Sequence, residues 1–183
     1  DTDFTWADFQ TRNNSELVGI FGNFINRVVV LTNKYWDGHI PAKGDLTSYD
    51  EEVLEELSKY AEKVGQLIEN YKMREALFEV MNLARLGNKY LADTEPWKLK
   101  KTDEKRTQTI LNIALQVTAH LSVFSEPFLP FTAQKLIDML NIEQGRWDKI
   151  EELQSGRKIN GAYLLFSKIE DEVIEYHLSK LKA

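Results

Sequence analysis

The chain has 183 residues, 43% of them apolar and 28% charged, with a formal net charge of −6. That balance excludes a collagen-like, low-complexity or intrinsically disordered chain, and the length suits one domain with an appendage. Without a single cysteine, disulfides, thiolate zinc sites, iron–sulfur clusters and a cysteine nucleophile all drop out. Apolar runs are short, residues 28–31 being typical, against the roughly 18 residues that a bilayer crossing needs, so no membrane partner is expected. The acidic average still leaves room for a local basic face. The start, Asp1, Thr2 and Asp3, lacks a Met and the basic and apolar regions of a secretory signal. The expectation is a cytoplasmic segment cut from a longer polypeptide.

Helical periodicity dominates from there on. Leu17, Ile20, Phe21, Phe24, Val28, Leu31 and Tyr35 recur at spacings of three and four, which predicts one apolar stripe on a first helix. Asp37, Gly38 and Pro41 break it. Ser48, with Glu51 three places on, reads as the capping box of a second helix whose buried stripe is Leu54, Leu57, Ala61, Val64 and Ile68. The acidic run Asp50, Glu51, Glu52, Glu55 and Glu56 at its start reads as a solvated face that complements the helix dipole.

A third helix carries Met73, Leu77, Val80, Ala84, Gly87 and Leu91 and ends near Asp93. Asp103 caps a fourth, with Ile110, Ala114, Val117, Leu121 and Phe124 inward, and a shorter fifth spans 131–140 beyond Pro127 and Pro130. Gly145, Gly156 and Gly161 fall among polar residues without a helical period, and a terminal helix is expected over 163–182. The pattern predicts an all-α fold, an antiparallel bundle of four to five long helices with an irregular C-terminal arm and a terminal helix. Residues 1–183 form a single domain in this reading: bundle core 1–141, irregular segment 142–162, docking terminal helix 163–183.

The chemistry is mostly negative. None of His39, His120 and His177 has a Glu three residues before it, and no His-Glu-x-x-His occurs, so no metal site is expected. Gly19, Ile20, Phe21 and Gly22 are not followed by Lys-Ser or Lys-Thr and read as small residues for close helix packing. No nucleophile, base or acid set is assembled.

Residues 93–106, DTEPWKLKKTDEKR, place Trp97 directly after Pro96 and among Lys98, Lys100, Lys101, Lys105 and Arg106. An indole in a basic linker makes a stacking platform for unpaired bases; alternatively, Trp97 plugs the end of the bundle. Asn23 and Arg27, four apart on the first helix, share a face and could read the polar edge of a flipped-out base. They could equally form a helix-face hydrogen bond, or Arg27 could pair with an acid on a neighbour. Taken singly, these residues leave both readings open.

Four segments in order carry a resemblance. They are NNSELVGIFGNFINRVVVLTNKYWDGHIP at 13–41, EALFEVMNLARLGNKYLADTEPWKLKK at 75–101, EPFLPFTAQKLIDMLN at 126–141 and LFSKIEDE at 165–172. Together they resemble the anticodon-binding domain of methionyl-tRNA synthetases over nearly the whole chain, least over 46–71. The resemblance implies a helical bundle following a nucleotide-binding-fold catalytic domain in the same polypeptide. That domain's His-Ile-Gly-His and Lys-Met-Ser-Lys-Ser signatures are absent, and Lys72, Met73, Arg74, Glu75 and Ala76 match the second only in their first two residues.

It further implies that the family's anticodon-reading Asn and Arg fall on Asn23 and Arg27, and its Pro-Trp on Pro96 and Trp97. The implied partner is the CAU anticodon of methionine tRNA, with Lys98, Lys100, Lys101 and Arg106 holding phosphate, and no DNA. The chain alone would not catalyse and would need no cofactor; the full-length ligase would use ATP and Mg, with zinc a further option in its catalytic part. Two alternatives stand beside this: the helical domain of an isoleucine, valine, leucine or cysteine enzyme of the same class, and a helical protein-interaction bundle with Trp97 in a partner's pocket. The Asn-x-x-x-Arg helix combined with Pro-Trp favours methionine.

Overall fold

Thr5 caps the opening helix, its hydroxyl accepting the Asp8 amide at 3.1 Å. That helix, α1 (Trp6–Trp36), runs 31 residues and passes through a π-helical stretch at Asn13–Gly22. In this computed structural model residues 4–143, 145–147 and 150–180 are described. Among them α1 is long and apolar enough to cross a bilayer, a length that short apolar runs do not suggest. Part of its apolar face is committed elsewhere, since Phe21, Phe24, Ile25, Val28 and Val29 are fully buried in the protein core. Asp37 (φ 50°) and Gly38 (φ 77°) then turn the chain through the left-handed region.

The remaining helices are α2 (Ser48–Glu69), α3 (Met73–Thr94), the single turn α4 (Pro96–Leu99), α5 (Glu104–Phe124), α6 (Pro130–Leu140) and α7 (Asp171–Lys180). The all-α expectation holds, and an isolated bridge pairs His39 with Lys158. Asp103 caps α5 as expected, accepting the Arg106 amide at 2.9 Å. The α2 cap sits one residue earlier than expected: Thr47 is the cap and Asp50 its reciprocal partner, with the Thr47 amide donating to Asp50 Oδ2 at 2.9 Å.

Helix α5 lies at the centre, packed by α1, α2, α3 and α6. It is buried almost all round rather than along one stripe, and its polar side chains are satisfied inside. Asn112 Nδ2 donates to the Pro41 carbonyl at 2.8 Å. Gln116 clasps Leu153, donating to its carbonyl at 3.1 Å and accepting from its amide at 2.9 Å. These two amides tie the α1–α2 connection and the irregular arm to the bundle.

The expected terminal helix begins eight residues late. Residues 163–170 are not helical, because amides on α1 take up part of their backbone. Asn14 donates to the Ile169 carbonyl and accepts its amide, both at 2.9 Å, and Asn13 donates to the Ser167 carbonyl at 3.0 Å. Phe166 from this arm lies 3.3 Å from where a Gly22 Cβ would stand. Only α7 is helical, its His177 stacked on Trp6 at 4.9 Å; residues 181–183, like 1–3, lie outside the described residues.

Asp50 departs furthest from expectation. It is fully buried rather than solvated. Both its oxygens accept from Arg106, at 2.5 and 2.9 Å, and Oδ1 also accepts the buried Tyr90 hydroxyl at 2.5 Å. Burial alone would raise the carboxyl pKa, but the bonds from Arg106, Tyr90 and Thr47 outweigh it and hold the group at about 2. Folded Asp50 therefore binds a proton more weakly than unfolded Asp50. Its contribution is complete above pH ~4 and is lost as the pH falls towards 2. Asp50→Asn should cost about 3 kcal/mol or more at neutral pH, since it leaves Arg106 unpaired, and should flatten the acid limb of stability between pH 4 and 2. Urea titrations of both proteins across that range check it.

Candidate nucleic-acid interface

Helices α1 and α3 pack tightly at Gly87. A Cβ there would lie 2.5 Å from Phe24 Cε2 and 2.8 Å from Cε1, so the absent side chain leaves room for the Phe24 ring. The sequence neighbours of this pair, Asn23 and Asn88, meet at the rim. Asn23 Nδ2 donates to Asn88 Oδ1 at 3.4 Å. Asn88 Nδ2 in turn donates to two main-chain carbonyls, Ile20 at 2.9 Å and Ala84 at 3.1 Å.

One turn along α1, Arg27 reaches the end of α3. There Glu95 adopts left-handed geometry (φ 43°) and the buried Pro96 starts α4, where its fixed φ suits the first helical position. This sharp corner carries Trp97 back over α1. The Arg27 guanidinium stands over the indole, 4.8 Å from the ring centroid, within the range of a cation–π contact. Trp97 remains 37% exposed. Burial lowers the Arg27 pKa; Arg27 has no carboxylate partner among the described residues, so its N–H donors are not consumed by a salt bridge.

All four residues expected to read a base are therefore placed together: Asn23, Arg27 and Trp97 at the surface and Pro96 beneath them. Trp97 keeps 37% of its surface exposed, and Arg27 is paired with no acid among the described residues. The residues expected to hold phosphate divide. Arg106 is spent on Asp50, with its side chain 20% exposed, and is withdrawn from that role by a buried acid that the acidic run on α2 concealed. Lys100 bonds Glu104 and lies over Trp36, 4.8 Å from the ring centroid. Lys98 pairs with Glu95 at 2.7 Å, both exposed, an interaction weak enough for a phosphate to displace. Lys101 is exposed and makes no ion pair among the described residues.

Sequence reasoning missed Asn88. Its signal is a polar residue directly after the small Gly87 in a helix interior, a position where an amide needs a stated partner. Among the described residues no three His, Asp or Glu side chains gather as a metal-binding set.

Residues 40–183 match the family described as the anticodon-binding domain of methionyl tRNA ligase, and residues 1–29 match that of the class I tRNA synthetases for methionine. The second match ends inside α1 and the first begins beyond it, so Asn23 and Arg27 sit on the stretch that matches the class I synthetases. The chain is 55% identical to a methionine–tRNA ligase of Phocaeicola vulgatus over 100% of its own length, and 56% identical to one of Christiangramia forsetii over the same share. It spans 27% and 28% of those relatives. The free-state crystal structure of Mycobacterium tuberculosis methionyl-tRNA synthetase superposes with a TM-score of 0.84 over 91% of this chain and 35% of that one. At 23% identity that likeness concerns the fold.

Proposed function

The chain belongs to the methionyl-tRNA ligase family as its anticodon-binding domain, and from that premise we propose that it reads the CAU anticodon of methionine tRNA for a catalytic domain in the same polypeptide. The observation that carries this reading is the half-exposed Trp97 with the unpaired Arg27 guanidinium stacked upon it. A base unstacked from the anticodon loop gains a π-face in Trp97. Arg27, positioned by that same ring, offers donors at fixed angles to the polar edge of the base beside Asn23. Pro96 holds the corner rigid, so little chain entropy is lost when the base docks.

The first anticodon base, a cytosine, is the one assigned to Asn23 and Arg27. Lys101 and the loosely paired Lys98 supply phosphate contacts, which add affinity and salt sensitivity without base choice. Attachment of methionine is the work of the full-length ligase with ATP and Mg, and the part described contributes substrate selection. Methionine is favoured as the amino acid because the Asn-x-x-x-Arg helix and the Pro-Trp corner occur together, and the lack of cysteine fits a cytoplasmic enzyme. Equal affinity for transcripts differing from CAU in the first base would contradict the methionine assignment.

Trp97→Ala should weaken tRNA binding by about 1–3 kcal/mol, the stacking contribution of one base, with helical content unchanged by circular dichroism. A collapsed fold would instead make Trp97 a structural residue. Lys101→Ala should weaken binding evenly across anticodons and lower the slope of log affinity against log salt by about 0.7–0.9. Arg106→Ala should act on stability and leave that slope unchanged. Binding titrations of the three variants over a salt series distinguish these outcomes.

A further inference from the structure

An amide reads a base only if the protein dictates which of its two ends faces outward. Oxygen accepts and nitrogen donates, and a free Asn side chain on a helix surface presents either by a half-turn of its last torsion. Cytosine and uracil differ in this respect at the same edge. Cytosine offers an amino donor where uracil offers a carbonyl acceptor, and an acceptor ring nitrogen where uracil has a donor. An Asn free to flip would satisfy both bases and distinguish neither.

Asn88 removes that freedom by a chain of fixed polarities. Its Nδ2 faces two main-chain oxygens, Ile20 on α1 and Ala84 one turn back on α3. The reversed amide would set its own oxygen against both, so its orientation is settled by the backbone. Its Oδ1 is therefore the end turned to Asn23, and it accepts from Asn23 Nδ2. With its nitrogen held towards Asn88, Asn23 turns its oxygen to the opposite side. The Ile20 carbonyl, which also accepts the Asn23 main-chain N–H, lies in the π-helical stretch Asn13–Gly22, with Asn23 as its cap.

We propose that Asn88 is a positioning residue for cytosine recognition: it locks Asn23 with the acceptor Oδ1 outward, matched to the exocyclic amine of cytosine and opposed to the carbonyl of uracil. Arg27 then supplies the donors that the acceptor positions of cytosine require. The inference rests on the reading of Asn23 given under the proposed function, and adds a residue that itself need not touch RNA.

The test uses the full-length ligase and methionine-tRNA transcripts with CAU and UAU anticodons, comparing the ratio of kcat/KM for the two. Asn88→Ser keeps a hydroxyl able to donate to the Ala84 carbonyl four residues back, so the helix keeps its local bond, but it is too short to reach Asn23. Asn88→Ser and Asn88→Ala should each lower the CAU preference about five- to tenfold, the scale of one hydrogen bond, with the melting temperature of the Ser variant near that of wild type. In an Asn23→Ala background neither change should lower the preference further. A wild-type ratio in Asn88→Ser, or an equal further loss in the Asn23→Ala background, would overturn the role of Asn88 while leaving the base-reading assignment intact. An unchanged ratio in Asn23→Ala alone would overturn both.

Discussion

The interface depends on one absent side chain. Because Gly87 carries no Cβ, the Phe24 ring can lie against α3, and this sets the height at which α1 and α3 cross. Everything described at the surface is measured from that crossing. Asn23 and Asn88 are the residues next to it on either helix, close enough to bond. Arg27 is one turn further along α1, and the α3–α4 corner returns Trp97 to it. A larger residue at 87 would push against a ring that is itself fully buried in the core, forcing the two helices and their amides apart.

Charge is sorted by depth. The buried carboxylate of Asp50 holds Arg106 from α5 and the Tyr90 hydroxyl from α3, joining three helices beneath the surface. Nearer the surface, Lys98, Lys100 and Lys89 pair with acids three or four positions away in the chain, contacts mostly worth little in water. Exposed acids held this weakly are exchangeable, which is how the proposed reading reconciles an acidic chain with an RNA partner. Arg27 differs from all of these cations: its partner is an aromatic face and no carboxylate, which leaves its donors for a neutral base.

Much of this was legible beforehand because it is local. Helix α6, the Asp103 cap and the irregular segment before the terminal helix follow from apolar spacing and from Gly and Pro positions. The gathering of Asn23, Arg27, Pro96 and Trp97 came from the ordered resemblance of four segments. What escaped depends on partners distant in the chain. Asp50 reads as one more acid in an acidic run, and only Arg106, 56 positions away, makes it a core residue. Residues 163–170 have apolar positions enough for a helix, yet Asn13 and Asn14, more than 150 positions earlier, take their backbone groups. Asn88 is likewise defined by Ile20 and Asn23 across a helix crossing. The Thr47–Ser48 pair shows the smaller ambiguity, two adjacent capping residues of which only one meets an acid three places on that bonds back.

The most direct test of the account is a side-chain NMR titration of this 21.3 kDa chain with an anticodon stem-loop carrying CAU, alongside one carrying UAU. The CAU hairpin should shift the Trp97 indole N–H, the Arg27 Nε–H and the side-chain amides of Asn23 and Asn88 in parallel with saturation. The buried Arg106 signal should stay in place, and the UAU hairpin should shift Trp97 more than it shifts Asn23. Equal shifts with both hairpins, or shifts confined to residues away from the α1–α3 crossing, would contradict it.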